Sequence, residues 1–267
     1  MARAGLGAEW QCLFANDFDP KKVEAYKANW GGGEIVCGDI HKLSASELPG
    51  QADLAWASFP CQDLSLAGNG AGLKGERSGS FWGFWQLIHG LKAQRRAPKI
   101  LVLENVTGAL TSNGGKDFEE LCRALQALGY RFGALVIDAV HFVPQSRPRL
   151  FIVAVRGDVD DPGDLLEESP SDMWATAALK RAHAALPPRL KAAWLWWRLS
   201  PPAKSNTKLG DLIEESPSDV RWHSQDETFR LVSMMSAPSL ARLEAAKKSG
   251  KTTVGTIYRR TRPDEGG

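Results

Sequence analysis

The chain has 267 residues, with 33 Lys+Arg against 31 Asp+Glu, a formal net charge of +2, 43% hydrophobic and 24% charged residues. That length suits one large domain or a domain with a smaller appendage, and the balanced composition excludes a disordered or collagen-like chain. The longest apolar stretches, residues 100–103 and 151–155, are far shorter than the roughly 20 residues of a membrane-spanning helix and read as buried strands.

Six strand-like runs are expected over residues 12–15, 34–37, 53–57, 99–103, 133–139 and 150–155. Between them, residues 20–29, 81–91 and 117–128 carry apolar side chains at three-to-four spacing, and Gly129 follows the last where a helix end favours a left-handed residue. Strands alternating with helices predict an α/β fold built on a parallel sheet covered on both faces, with ligands beyond the carboxyl ends of the strands. Composition shifts after Arg156, toward Asp, Pro and Gly, so a division is expected between residues 1–157 and 158–267. In the second part Glu167-Glu168-Ser169-Pro170-Ser171-Asp172 recurs as Glu214-Glu215-Ser216-Pro217-Ser218-Asp219, which reads as two helix or turn starts of similar chemistry rather than a duplicated module.

Met1-Ala2-Arg3-Ala4-Gly5 leads into no long apolar run, so no secretory signal is read. Cys12, Cys37, Cys61 and Cys122 form no C-x-x-C pair and the histidines are scattered, which argues against a disulfide framework or a zinc site and fits a reducing cytoplasm. Net charge alone neither requires nor forbids a nucleic-acid partner.

Candidate residues fall at strand ends. Phe59-Pro60-Cys61-Gln62 follows the 53–57 strand, which puts a thiol at a strand-to-loop edge; a lone cysteine is otherwise an inert packing residue. Glu104-Asn105-Val106 closes the 99–103 strand and puts a carboxylate on the same rim, with an acidic helix cap as the alternative. Arg147 and Arg149, two apart on an extended segment, point to one face and form a fork for a carboxylate, phosphate or base carbonyl, or else a surface charge pair. Asp17 and Asp39 follow the first two strands, where acidic residues accept hydrogen bonds from a ribose or an adenine amine, or cap a helix.

In chain order Asp17, Asp39, Pro60-Cys61-Gln62, Glu104-Asn105-Val106 and Gln145-x-Arg147-x-Arg149 resemble the DNA cytosine-C5 methyltransferase family over about residues 1–155, and Arg77-Ser78-Gly79-Ser80-Phe81 looks like its segment between the cysteine loop and the Glu-Asn-Val strand. The resemblance implies a Rossmann-like, S-adenosylmethionine-dependent methyltransferase sheet in residues 1–157 and a partial, mainly helical or irregular target-recognition region in 158–267. It implies that Cys61 adds covalently to carbon 6 of a cytosine flipped out of duplex DNA, that Glu104 acts at nitrogen 3, and that Arg149 with Arg147 holds O2 and orders the cysteine loop. Asp17, Phe18, Asp39, Ile40, Pro60 and Ser80 would hold S-adenosylmethionine, with no metal.

The implied setting is a bacterial or phage modification system in the cytoplasm, with a cognate restriction endonuclease as a partner. Asp17 stands where the family more often has Glu, and the family's opening strand with its Phe-x-Gly-x-Gly loop, and its last two elements, are not found, so truncation at both ends is expected. A transfer-RNA cytosine-C5 methyltransferase and a catalytically silent DNA-binding remnant stand as alternatives; a thiol redox protein lacks a C-x-x-C pair. Trp194, Trp196 and Trp197 are expected in a core, and residues 258–262 form a basic segment suited to phosphate.

Overall fold

The computed structural model describes residues 2–59, 79–160, 163–203, 206–214 and 216–250. Two compact units divide at Ser205 and Asn206, so the helical segment after residue 157 belongs with the sheet rather than apart from it. Pro60 and Cys61, and the basic segment 258–262, lie outside the described residues.

The first unit opens with helix α1 (Ala2–Leu6), strand β1 (Ala15–Asp17), helix α2 (Pro20–Trp30) and strand β2 (Ile35–Cys37), with β1 and β2 parallel. Helix α2 starts where Asp19, in extended conformation, accepts from Lys21 N and Pro20 takes the first turn; it stops at Gly31, whose φ of 80° lets its N–H close on Lys27 O. Beside it Arg3 contacts Tyr26, Glu34 and the Trp30 ring, which ties α1 down.

Strand β3 (Leu54–Ser58), helix α3 (Ser80–Ala93) and strand β4 (Ile100–Val106) form a second parallel unit. Helix α4 (Lys116–Ala127) leads to β5 (Tyr130–Asp138) and β6 (Pro148–Arg156), and the sheet order is β3-β4-β6-β5. The parallel sheet expected from the sequence is corrected here to a mixed one, because β6 runs antiparallel to both β4 and β5. The reason is the connection 139–147, which carries only a 3₁₀ turn, Ala139–His141, and is shorter than the roughly dozen residues a parallel crossover requires. Helices α3 and α4 share one face, packing on the side of Leu101, Leu103, Phe132, Ala134 and Ile152. Across the sheet, Leu135, Val155, Trp174 and Trp197 form a smaller cluster.

The chain then continues through β7 (Leu166–Glu167), α5 (Ala177–Ala185), α6 (Pro188–Lys191) and β8 (Trp196–Trp197), with β7 antiparallel to β8. Residues 193–195 lie along the outer edge of β5: Phe132 N donates to Ala193 O at 3.0 Å and Leu195 N to Phe132 O at 2.7 Å. This caps an edge that would otherwise offer unpaired backbone groups. The three tryptophans are packed as expected, Trp197 buried and Trp194 and Trp196 partly buried against the core.

The second unit holds α7 (Gln225–Ser233), opened by a Ser224–Glu227 capping box, and α8 (Ala237–Lys248). A 3₁₀ turn precedes each copy of the Glu-Glu-Ser-Pro-Ser-Asp echo, Gly163–Leu165 and Leu209–Leu212. Among the described residues no helix is long and apolar enough to cross a membrane.

Candidate active site

The carboxyl ends of β1, β2, β3 and β4 carry the residues singled out in the sequence. At the first pair, Gly38 N donates to Asp17 O at 3.1 Å, and Asn16 Nδ2 reaches Val36 O and Gly38 O, each at 3.0 Å. Asp17 and Asp39 are thereby carried on neighbouring strand ends. Both also do the local work of a cap: Asp17 Oδ1 accepts from Asp19 N at 2.9 Å, and Asp39 Oδ1 from His41 N at 3.0 Å at the start of a 3₁₀ turn, Ile40–Lys42. Phe18 stands 76% exposed beside them.

The turn Ile40–Lys42 packs on α3 at a glycine. A Cβ on Gly83 would stand 2.6 Å from Ile40 Cγ2, and one on Gly90 would stand 2.7 Å from Ala45 Cβ. Side chains at either place would drive the Asp39–Ile40 end away from α3. Ser80 is the first residue of that helix, and Phe81 next to it packs against Phe59 with the rings tilted at 45° and centroids 5.2 Å apart. The helix start therefore touches the end of β3, from which the chain enters the Pro60-Cys61 segment.

On the other side of β3, Ser58 pairs with Glu104, and across β4 Val106 pairs with Arg149. Glu104 and Asn105 lie inside the strand and not in a loop or helix cap, because they pair with Phe151 and Leu150 of β6. Arg149 Nε lies 3.2 Å from Glu104 Oε1, with both side chains about a fifth to a quarter exposed (21% and 24%). Arg149 also donates through Nη1 to Pro148 O at 2.9 Å. Arg147 is exposed and precedes the strand, with its backbone N–H given to Asp138. The arginine fork of the sequence thus divides: Arg149 meets the carboxylate, and Arg147 stays on the loop side.

Asn105 stands in the Glu104-Asn105-Val106 motif, where the sequence assigned it no role of its own. It is 5% exposed, donates from Nδ2 to Phe59 O at 3.0 Å and accepts at Oδ1 from Val106 N at 2.8 Å. A polar side chain inside an apolar strand is the signal that points to it, since burial requires such a group to find partners. Asn105 pins the residue just before Pro60 to the strand that bears Glu104. Asn105→Ala leaves the Phe59 carbonyl without this partner and is expected to cost about 1–3 kcal/mol in denaturant unfolding; an unchanged midpoint contradicts that role.

No group of His, Cys, Asp and Glu suited to a metal exists among the described residues.

The description "C-5 cytosine-specific DNA methylase" matches residues 2–262. Curated relatives include the Type II methyltransferase M.BsuFI of Bacillus subtilis, 34% identical over 150 residues, covering 56% of this chain and 35% of that protein. M.HhaI of Haemophilus parahaemolyticus, also a Type II methyltransferase, is 29% identical over 161 residues, 60% of this chain and 46% of the relative. The orphan methyltransferase M.SPRI of Bacillus phage SPR is 27% identical over 241 residues, 90% of this chain and 52% of its own length. This chain therefore spans about half or less of these three relatives. Among solved structures, the S. pombe Dnmt2 methyltransferase aligns with a TM-score of 0.45 at 24% identity, over 61% of this chain and 50% of that one, a likeness too loose to carry an argument. The chain belongs to the C-5 cytosine-specific DNA methylase family.

Proposed function

We propose that the chain transfers a methyl group from S-adenosylmethionine to carbon 5 of cytosine in duplex DNA, as a modification enzyme in the cytoplasm of a bacterial or phage-infected cell. The observation that carries the reading is the Glu104–Arg149 pair at 3.2 Å, on the strand whose neighbour runs into Pro60-Cys61. Addition to a pyrimidine ring requires a thiol, a carboxyl group and a guanidinium, and Glu104 with Arg149 supplies the last two at one rim.

The donor set fits the cofactor. Asp17 and Asp39 offer carboxylates at adjacent strand ends for ribose hydroxyls and an adenine amine, while Phe18 and Ile40 offer apolar surface for the adenine ring; the resemblance adds Pro60 and Ser80 to this set. Bound there, S-adenosylmethionine supplies an electrophilic methyl group.

The protein's own residues do the rest. The Cys61 thiolate forms a bond to carbon 6, and the electron pair displaced toward the ring makes carbon 5 nucleophilic. Glu104 relieves the charge at nitrogen 3 by giving a proton or a hydrogen bond, and Arg149, with Arg147 near it, binds O2. Once carbon 5 carries the methyl group, loss of its proton to solvent returns the electron pair to the ring and expels the thiolate from carbon 6, so Cys61 emerges unchanged. The base must leave the stack to reach this rim.

Duplex DNA with 5-fluorocytosine at its target cytosines tests the adduct, because fluorine at carbon 5 leaves no proton to remove and the thiol cannot depart. With S-adenosylmethionine present, a denaturation-resistant protein–DNA species is expected, and none with Cys61→Ser. An equal yield from both proteins refutes the mechanism.

A further inference from the structure

Loop 139–147 joins β5 to β6 and ends two residues before Arg149. Its apolar side chains do not hold it, since Val140, Phe142 and Val143 are 50%, 50% and 45% exposed. Its ends are joined by one backbone bond, Ala139 N to Arg147 O at 3.4 Å, His141 packs edge-on against Trp174, and one carboxylate adds three more bonds. Asp138 Oδ1 accepts from Val140 N at 3.1 Å and from Arg147 N at 2.6 Å, and Oδ2 accepts from Ser146 Oγ at 2.8 Å. A helix cap would need only the first of these bonds. The other two come from the far end of the loop, so a single side chain ties both ends together. Bonding to Val140 N–H, then to Ser146 and Arg147, holds the Asp138 carboxyl below its usual range against the opposing effect of desolvation, with His141 nearby adding to the depression.

We propose that Asp138 is a positioning residue for methyl transfer, fixing loop 139–147 so that Arg149 stays against Glu104. The proposal rests on the reading of the site above and adds the residue that holds its arginine in place. Asp138 touches neither substrate nor cofactor. Its contribution is the register of β6 at its first residues, where Ile137 of β5 faces Arg149 and Asp138 faces Pro148.

The test uses the full chain with three substitutions, Asp138→Ala, Asp138→Asn and Ser146→Ala. Asparagine keeps an oxygen for the Val140 and Arg147 N–H groups and can donate to Ser146 Oγ, so it should rescue. Asp138→Ala is expected to lower kcat by about 10- to 100-fold, the cost of a misplaced catalytic group, with KM for DNA little changed. Amide exchange at Val140 and Arg147 should rise in the same variant, while Asp138→Asn stays near wild type on both measures and Ser146→Ala falls between.

Full kcat in Asp138→Ala, or an equal loss in Asp138→Asn, overturns the proposal. So does a fall in kcat without faster exchange at Arg147. Should Asp138→Ala not fold, Ser146→Ala decides, and unaltered kcat and exchange in it count against the clasp. A wild-type chain that transfers no methyl group, with Glu104→Gln indistinguishable from it, defeats the reading of the site itself. An active wild type with a slow Glu104→Gln and an unaffected Asp138→Ala defeats only the proposal.

Discussion

Glu104→Gln is expected to slow methyl transfer by about 10²- to 10⁴-fold, the range over which a positioned acid or base contributes to rate. The amide preserves the size of the side chain and its place between Ser58 and Phe151 in the sheet, so the fold should stand. It cannot deliver a proton to the ring, and it exchanges the ion pair with Arg149 for a neutral hydrogen bond. DNA binding should survive, because phosphate contacts dominate affinity and do not pass through this carboxyl group. Rates from single-turnover assays, set beside filter binding, separate the two effects: a variant that turns over at the wild-type rate removes Glu104 from the mechanism.

Gly133→Val is expected to be the most damaging change in the first unit that touches none of the candidate site residues. A Cβ at this position would stand 1.8 Å from Leu195 O, inside the atom it meets. The obstacle is backbone, held by the bonds between Phe132 and residues 193–195, so no side-chain rotation relieves it. Overpacking in cores costs typically about 1–3 kcal/mol, and a backbone clash belongs at or beyond the upper end. Gly133→Val should expose the β5 edge, with Trp194 and Trp197 fluorescence reporting the loss of the segment in a denaturant titration. A wild-type midpoint would mean that residues 193–195 can move away at little cost.

Much of the first unit was legible because its signals are local. The runs at residues 100–103 and 150–155 are apolar enough to be strands on any reading, and the helices Pro20–Trp30 and Ser80–Ala93 follow from three-to-four apolar spacing. What failed was direction. The 139–147 segment contains only a 3₁₀ turn, and alternation alone predicts another parallel step where the chain makes an antiparallel return. Boundaries moved where polar residues continue a strand: Asn16 and Asp17 pair with Val36 and Cys37, and Glu104 and Asn105 pair with β6.

The candidate site divides the same way. Residue types in chain order brought Glu104 and Arg149 forward, and the strands set them 3.2 Å apart. Asn105, Asp138, Gly83 and Gly133 act through contacts with distant segments, Phe59, the far end of a loop, Ile40 and Leu195, which sequence spacing does not encode. Burial of Asn105 and the three bonds of Asp138 become visible only once the sheet is assembled.

The most direct measurement incubates the chain and Cys61→Ala, side by side, with mixed-sequence duplex DNA and S-adenosylmethionine labelled in its methyl group. The DNA is then digested to nucleosides and examined for labelled 5-methylcytosine. Label is expected with the wild-type chain and none with Cys61→Ala. Label of equal amount from both proteins, or label on any position other than carbon 5 of cytosine, contradicts the mechanism.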